Sequence, residues 1–318
     1  MDVAVIGLGL IGGSLLQALA AAGHGVRGYD ADPATRERAR AGGWTVAGSV
    51  AEAVAGAELV ALAVPLPVLP EIFAELTAFD GLVTDVTSVK GPVRELALKH
   101  GVRRYVGGHP MAGKETSGFA AAEPALFDGC AWVLCLEPKE TRSLDWLALA
   151  ALFTAMGARV VPVTAAEHDR AVAQISHAPH LLAAALARQL RGNPLAASLA
   201  AGSFRDGTRV AATRAELIVA MCGGNAEAVH DVLRALIDDL ERMDRALTAD
   251  PVGELTPLVA VAGDLRRRWP PRGGAETEEP VTVDGLLALG RAGGWVTAVA
   301  ENRATVRTKR PETGLNRS

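Results

Sequence analysis

The stretch that most constrains this chain is its first, "DVAVIGLGLIGGSLLQALAAAG" (residues 2–23). Residues 2–6 read as a short buried strand, and residues 14–23 as a helix that stops at Gly23. A strand can pass into a helix within so few residues only through a tight turn, and glycines stand at 7, 9 and 12. Gly7 permits the turn, Gly9 lets the backbone approach a pyrophosphate, and Gly12 lets helix and strand pack closely. The helix start then directs N–H groups and a positive dipole end at the phosphates. Gly7, Gly9, Leu10, Ile11 and Gly12 are therefore candidate dinucleotide-binding positions. The stretch has the length of a signal peptide, but it opens with Asp2 instead of a positive charge, and its glycines interrupt the apolar run. The same glycines argue against a membrane span, so the expected location is the cytoplasm and no membrane partner is expected.

Strand and helix alternate from there to residue 163. Strands are predicted at 25–30, 57–65, 81–86, 103–108, 131–137 and 158–163, with helical stretches between them. Such alternation implies a mostly parallel sheet with helices on both faces, an α/β Rossmann-type dinucleotide-binding domain over 1–164. Asp30 ends the second strand, where an acidic residue binds the adenosine ribose hydroxyls. A carboxylate there repels a 2′-phosphate, which favours NAD over NADP; Arg27 and Arg36, near it in sequence, are what would favour NADP. Val64 and Pro65, at the end of the third strand, are expected beside the dinucleotide.

After Thr164 the pattern changes. No strand is predicted between Ala165 and Trp269, while 166–190 reads as one long helix and 226–247 carries an apolar helical stripe with Asn225 placed to cap it. The second half is thus an all-α substrate and dimerisation domain over 165–269, and helices as apolar as "HLLAAALA" suit packing against a second copy of the chain. Residues 270–280, "PPRGGAETEEP", read as a linker, and 281–318 as a tail holding one helix and ending in a polar, disordered segment. A net charge of −4 gives no reason to expect a nucleic acid partner. Cys130, Cys135 and Cys222 lack C-x-x-C or zinc-ligand spacing and read as small apolar residues in a reducing compartment.

Ligands of such sheets lie at the carboxyl ends of the strands. "DVTSVKG" (85–91) falls there, with Asp85, Thr87, Ser88 and Lys90, as does "GGHPMAGKETSG" (107–118). His109 is suited to general acid–base work because its pKa lies near neutrality and flanking glycines leave room for a ligand; a loop histidine making one structural hydrogen bond is the alternative. His177 and His180 stand three apart on a predicted helix, with no third residue at metal-ligand spacing, so no metal is expected and groups facing an anionic substrate are favoured. Arg209, in a predicted glycine-containing turn, can clamp a carboxylate through two hydrogen bonds; an Arg–Asp surface pair is the alternative.

"VIGLGLIGGS", "DVTSVKG", "GGHPMAGKETSG", "SHAPH" and "FRDGTRVA", in this order and spacing, closely resemble the prephenate dehydrogenase family, including its arogenate-using members. The resemblance runs over about residues 1–267. It implies an NAD-dependent oxidative decarboxylation of a cyclohexadienol in the biosynthesis of tyrosine, with prephenate as substrate or arogenate as the alternative. It assigns proton abstraction from the ring hydroxyl to His109, and orientation of that histidine and of the nicotinamide to Ser88. Arg209 matches the arginine that holds a substrate carboxylate, His177 and His180 match histidines near the substrate, and Glu115 matches a loop acid that gates the pocket. The tail does not match the regulatory ACT domain of some members.

Two other functions share parts of this pattern. A 3-hydroxyacid dehydrogenase would need a catalytic lysine on a helix of the second domain, and residues 165–270 contain none. A non-catalytic NAD-sensing regulator would usually carry a basic DNA-binding segment, which the sequence lacks.

Overall fold

The glycine turn joins β1 (Asp2–Ile6) to α1 (Leu10–Ala21) in the structure, a computed structural model that describes residues 1–312. The chain continues through β2 (Gly25–Tyr29), α2 (Pro33–Ala41), α3 (Val50–Val54), β3 (Leu59–Leu62), α4 (Leu69–Glu75), β4 (Leu82–Asp85), α5 (Gly91–Lys99) and β5 (Tyr105–Val106). The five strands form a parallel sheet of order β2-β1-β3-β4-β5. Its order reverses between β1 and β3, the switch point at which such sheets bind ligands. Alternation along β1 divides the core between the two faces: Val3 and Val5 pack with Leu15, Leu16 and Leu19 of α1, whereas Ala4 and Ile6 pack with Leu69 and Phe73 of α4 and Val93 of α5. β3 and β4 are buried at every position, as strands covered on both faces must be.

The predicted strand 103–108 is two strands, and the predicted single sheet is two sheets. The chain leaves the parallel sheet at Gly107, and β6 (Gly108–Pro110) pairs antiparallel with β7 (Ala131–Cys135), placing His109 opposite Val133. The crossing is close: a Cβ on Gly108 would lie 2.7 Å from the Asp85 carbonyl oxygen. β7 then pairs in parallel with β8 (Arg159–Val163) across α6 (Ser143–Ala155). Trp132 of β7 stacks on Phe153 of α6 with ring centroids 3.8 Å apart. His109 therefore lies on a paired strand, not on the loop expected for it.

The predicted helix 166–190 is interrupted. α7 (Ala165–Val172) gives way to a π-helical turn over Ala173–His177 before α8 (Ala178–Ala187). Pro179 is the physical cause, since it lacks the N–H that an unbroken α-helix would offer to the carbonyl of Ile175. Then follow α9 (Pro194–Leu199), α10 (Gly202–Thr208), α11 (Ala215–Gly224), α12 (Ala226–Ala249) and α13 (Thr256–Arg267). Asn225 does precede α12, but its side chain makes no cap; it donates instead to the Asp169 carbonyl at 2.7 Å and lies 3.2 Å from His177 Nδ1.

Residues after Gly273 hold the one helix expected of them, but they also hold strands and are not a linker and free tail. β9 (Thr277–Pro280), α14 (Val283–Arg291), β10 (Trp295–Val299) and β11 (Thr305–Lys309) extend the second sheet to the order β6-β7-β8-β10-β11-β9. Val296 pairs with Val160, and Leu286, Leu287, Leu289 and Val306 join the core that contains Trp132 and Trp146. Burying those apolar groups fixes a segment that its many charged residues made look disordered. The polar chain end expected to be disordered lies, from residue 313 on, outside the described residues. Met1–His168 and Gly273–Glu312 make one compact unit, and Asp169–Arg272 another. Among the described residues no helix is long and apolar enough to cross a membrane.

Candidate active site

In the first unit the glycine turn is shaped by contacts that exclude side chains. Gly7 has φ +97°, and a Cβ there would lie 2.4 Å from the Ala63 carbonyl oxygen; a Cβ on Gly12 would lie 1.9 Å from the Gly7 carbonyl oxygen. Gly9 is different, since a Cβ there would meet nothing within 4 Å, leaving open space over the start of α1. That helix has no side-chain cap and no acidic residue in its first turn, so its N–H groups and dipole suit an anion. Leu10 and Ile11, half-buried, open the helix. Asp30, beyond β2, accepts the Leu8 N–H through Oδ2 at 2.7 Å and the Asp32 N–H through Oδ1 at 2.8 Å, which fixes its carboxylate beside the turn. Arg36 is spent on the carbonyls of Asp30 and Ala31, and Arg27 on those of Glu52 and Ala55. Val64, half-buried, and Pro65, exposed, follow β3 on the other side of the switch point. The open cradle, free helix end and fixed carboxylate fit a dinucleotide whose 2′-hydroxyl is unsubstituted.

Beside it lies a charged node. Asp85, at the end of β4, and Lys90, at the start of α5, are both fully buried and paired directly. Asp85 also accepts the Tyr105 hydroxyl at 2.7 Å, the Thr87 N–H at 3.0 Å and the Gly108 N–H at 3.2 Å, while Lys90 Nζ donates to the Gly108 carbonyl at 2.6 Å. Both sides of Gly108 are thereby clamped to the end of β4, and the next residue is His109. The turn that carries Ser88, half-buried, is held by the same node. Lys90, offered by sequence as a group facing ligand, is in fact internal.

His109 is half-buried, and its Nδ1 lies 2.9 Å from Nε2 of His168, the rings meeting edge-on at 75°. His168 is only 2% exposed. No sequence reading singled it out; the signal available was "EHD" directly after a predicted strand end, where a helix start presents side chains to the sheet's edge. Glu115 is exposed on the segment after β6, which is tied down by Phe119 against Gly13 and by the Glu123 N–H donating to Ser14 Oγ at 3.0 Å.

In the helical unit, His177 ends the π turn, fully buried, with Nδ1 facing the Asn225 amide. His180 is half-buried and donates from Nδ1 to the Ser176 carbonyl at 2.9 Å, which leaves Nε2 as its acceptor nitrogen. Arg209 is exposed at the junction of α10 with a 3₁₀ turn over Arg209–Ala212, so "FRDGTRVA" is largely helical and not the glycine-containing turn expected.

Comparison with known proteins agrees with this architecture. The family model described as "Prephenate dehydrogenase, nucleotide-binding domain" matches residues 16–162, and "Prephenate dehydrogenase, dimerization domain" matches residues 164–260. The prephenate dehydrogenase of Lactococcus lactis is 36% identical over 66% of this chain and 60% of its own length, so the match spans less than two thirds of that relative. The prephenate dehydrogenase of Bacillus subtilis is 31% identical over 85% of this chain and 76% of its own. Among solved structures, the Aquifex aeolicus prephenate dehydrogenase in complex with hydroxyphenyl propionate and NAD+ superposes with a TM-score of 0.78, at 26% identity, over 84% of this chain and 98% of that one. The chain belongs to the prephenate dehydrogenase family of NAD-dependent oxidoreductases.

Proposed function

We propose that this chain catalyses the oxidative decarboxylation of prephenate to 4-hydroxyphenylpyruvate with NAD, in the biosynthesis of tyrosine. The observation that carries the reading is His109, set on a clamped strand beside a dinucleotide cradle with its Nδ1 against His168. NAD, when bound, supplies the hydride acceptor. Gly7, Gly9, Leu10, Ile11 and Gly12 would hold its pyrophosphate and Asp30 its ribose, with Val64, Pro65 and Ser88 on the side of the nicotinamide.

The chemistry asked of the protein is removal of one proton. His109, neutral, accepts it from the ring hydroxyl through Nε2 as that carbon gives up its hydride. The bond to the ring carboxylate breaks, its electron pair passes through the ring to the new carbonyl oxygen, carbon dioxide leaves, and the aromatic phenolate so formed takes its proton back from His109. Arg209 holds a substrate carboxylate in two hydrogen bonds, His177 and His180 contribute to the substrate pocket, and Glu115 acts as a gate. The assignment to the cytoplasm is supported by three free cysteines.

A homodimer through the helical unit belongs to the same reading. Leu240 and Leu247 of α12 and Val259, Val261 and Leu265 of α13 are exposed apolar side chains, which a second copy of the chain would cover. The matching family model is itself described as a dimerization domain.

The test is a steady-state assay of purified protein with prephenate and arogenate, each with NAD and NADP, following the reduced cofactor. Prephenate with NAD is expected to give the highest kcat/KM, at least about tenfold above NADP, an energy of roughly 1.4 kcal/mol. Turnover of arogenate alone would move the substrate assignment, and no reduced cofactor with either substrate would overturn the reading.

A further inference from the structure

We infer that His168 is a positioning residue that fixes the tautomer of His109. The inference rests on the reading of His109 as the base.

A neutral imidazole carries one proton on one of two nitrogens, and only the other can accept a second. For His109 to take a proton at Nε2, its own proton must reside on Nδ1. Nδ1 faces Nε2 of His168 at 2.9 Å, a separation at which one nitrogen donates and the other accepts. The productive arrangement is thus Nδ1–H of His109 donating to Nε2 of His168, with the proton of neutral His168 on its Nδ1. The reverse arrangement would put a proton on His109 Nε2 and block the base. When His109 becomes an imidazolium, the same bond becomes charge-assisted and stronger. The ring hydroxyl proton passes to His109 Nε2 and returns from there to the phenolate oxygen that decarboxylation leaves, and none is transferred to His168.

His168 is itself held for this task. It is the fourth residue of α7, whose start is a reciprocal cap: Thr164 N–H donates to Glu167 Oε2 at 2.9 Å, and Glu167 N–H donates to Thr164 Oγ1 at 3.3 Å. The His168 N–H donates to the Thr164 carbonyl at 2.9 Å. Arg291 of α14 grips the other carboxylate oxygen of Glu167 at 2.6 Å, and Ala165 N–H donates to Glu137 Oε1 at 2.5 Å. A side chain 2% exposed on so constrained a turn keeps its place without substrate.

Two substitutions and one spectroscopic measurement test the inference. His168→Phe keeps a ring and removes the acceptor; His168→Gln places an amide oxygen where Nε2 was, and so can still accept from Nδ1–H. His168→Phe is expected to lower kcat by tenfold or more, with the KM for NAD within twofold, and His168→Gln to recover most of that loss. Nitrogen chemical shifts of labelled wild-type protein should show neutral His109 as the Nδ1–H tautomer. Equal kcat for wild type and His168→Phe, a His168→Gln variant no better than a folded His168→Phe, or an Nε2–H tautomer would each overturn the inference. If His168→Phe does not fold, His168→Gln and the tautomer still decide. A wild-type protein inactive on both substrates would instead strike the functional reading, which separates the two failures.

Discussion

Asp85 and Lys90 show how much of this site is decided one residue at a time. Both are fully buried and charged, and together they supply contacts to Thr87, Tyr105 and both sides of Gly108. Removing one partner of such a pair leaves an uncompensated charge, a loss of about 3–5 kcal/mol. Lys90→Met is therefore expected to lower unfolding free energy by that amount in urea titration, and a variant as stable as wild type would show that the pair does not organise this region. At the cofactor turn, Asp30→Ala removes the charge that disfavours a 2′-phosphate. The ratio of kcat/KM for NADP to that for NAD should rise about tenfold or more, and an unchanged ratio would remove Asp30 from cofactor choice. Gly7, Gly12 and Asp30 could be picked out as candidates because local geometry asks for those residue types there, whereas the chemistry of His109 alone left a base and a structural histidine level and only the family resemblance separated them. His168 was not legible in the sequence, since its partner is 59 positions away and nothing local distinguishes it.

Elements were legible where a period ran long enough to read. The strands of the parallel sheet and α12 were visible as apolar runs and stripes, whereas β5 and β6, of two and three residues, merged into one predicted strand. The C-terminal strands were missed for a different reason: β9, "TEEP", is acidic and mostly exposed, and is fixed by its neighbour instead of by burial. Glu279 on β9 shows how. Hydrogen bonding to Arg310 holds its carboxyl at about 2, against an ordinary value near 4.5. The sign follows: a lowered folded-state pKa stabilises above about pH 4.5, and the contribution fades as pH falls toward 2. Glu279→Gln is thus expected to lower the melting temperature at neutral pH, with the difference from wild type shrinking progressively below pH 4.5. A difference independent of pH would mean that the ion pair contributes nothing there.

At the scale of the whole molecule, the helical unit leaves apolar side chains exposed along α12 and α13, and the other described residues do not cover them. Light scattering of the purified protein should return twice the 32.9 kDa of one chain. Val261→Glu, on an exposed position of α13, should shift the population toward monomer, and a wild-type protein that is a folded monomer at micromolar concentration would contradict the proposed dimer. The two-part plan of the chain was readable from the switch between alternating elements and helices alone. The return of the chain after Gly273 into the first unit was not, because strand pairing across more than a hundred residues leaves no mark in either segment.

In the proposed function His109 removes the proton while the rest of the site binds. His109→Asn, assayed with prephenate and NAD alongside calorimetric NAD binding, tests it most directly. A kcat lower by about 10²–10⁴-fold is expected, with NAD affinity within a few-fold of wild type. Near-normal turnover in that variant would contradict it.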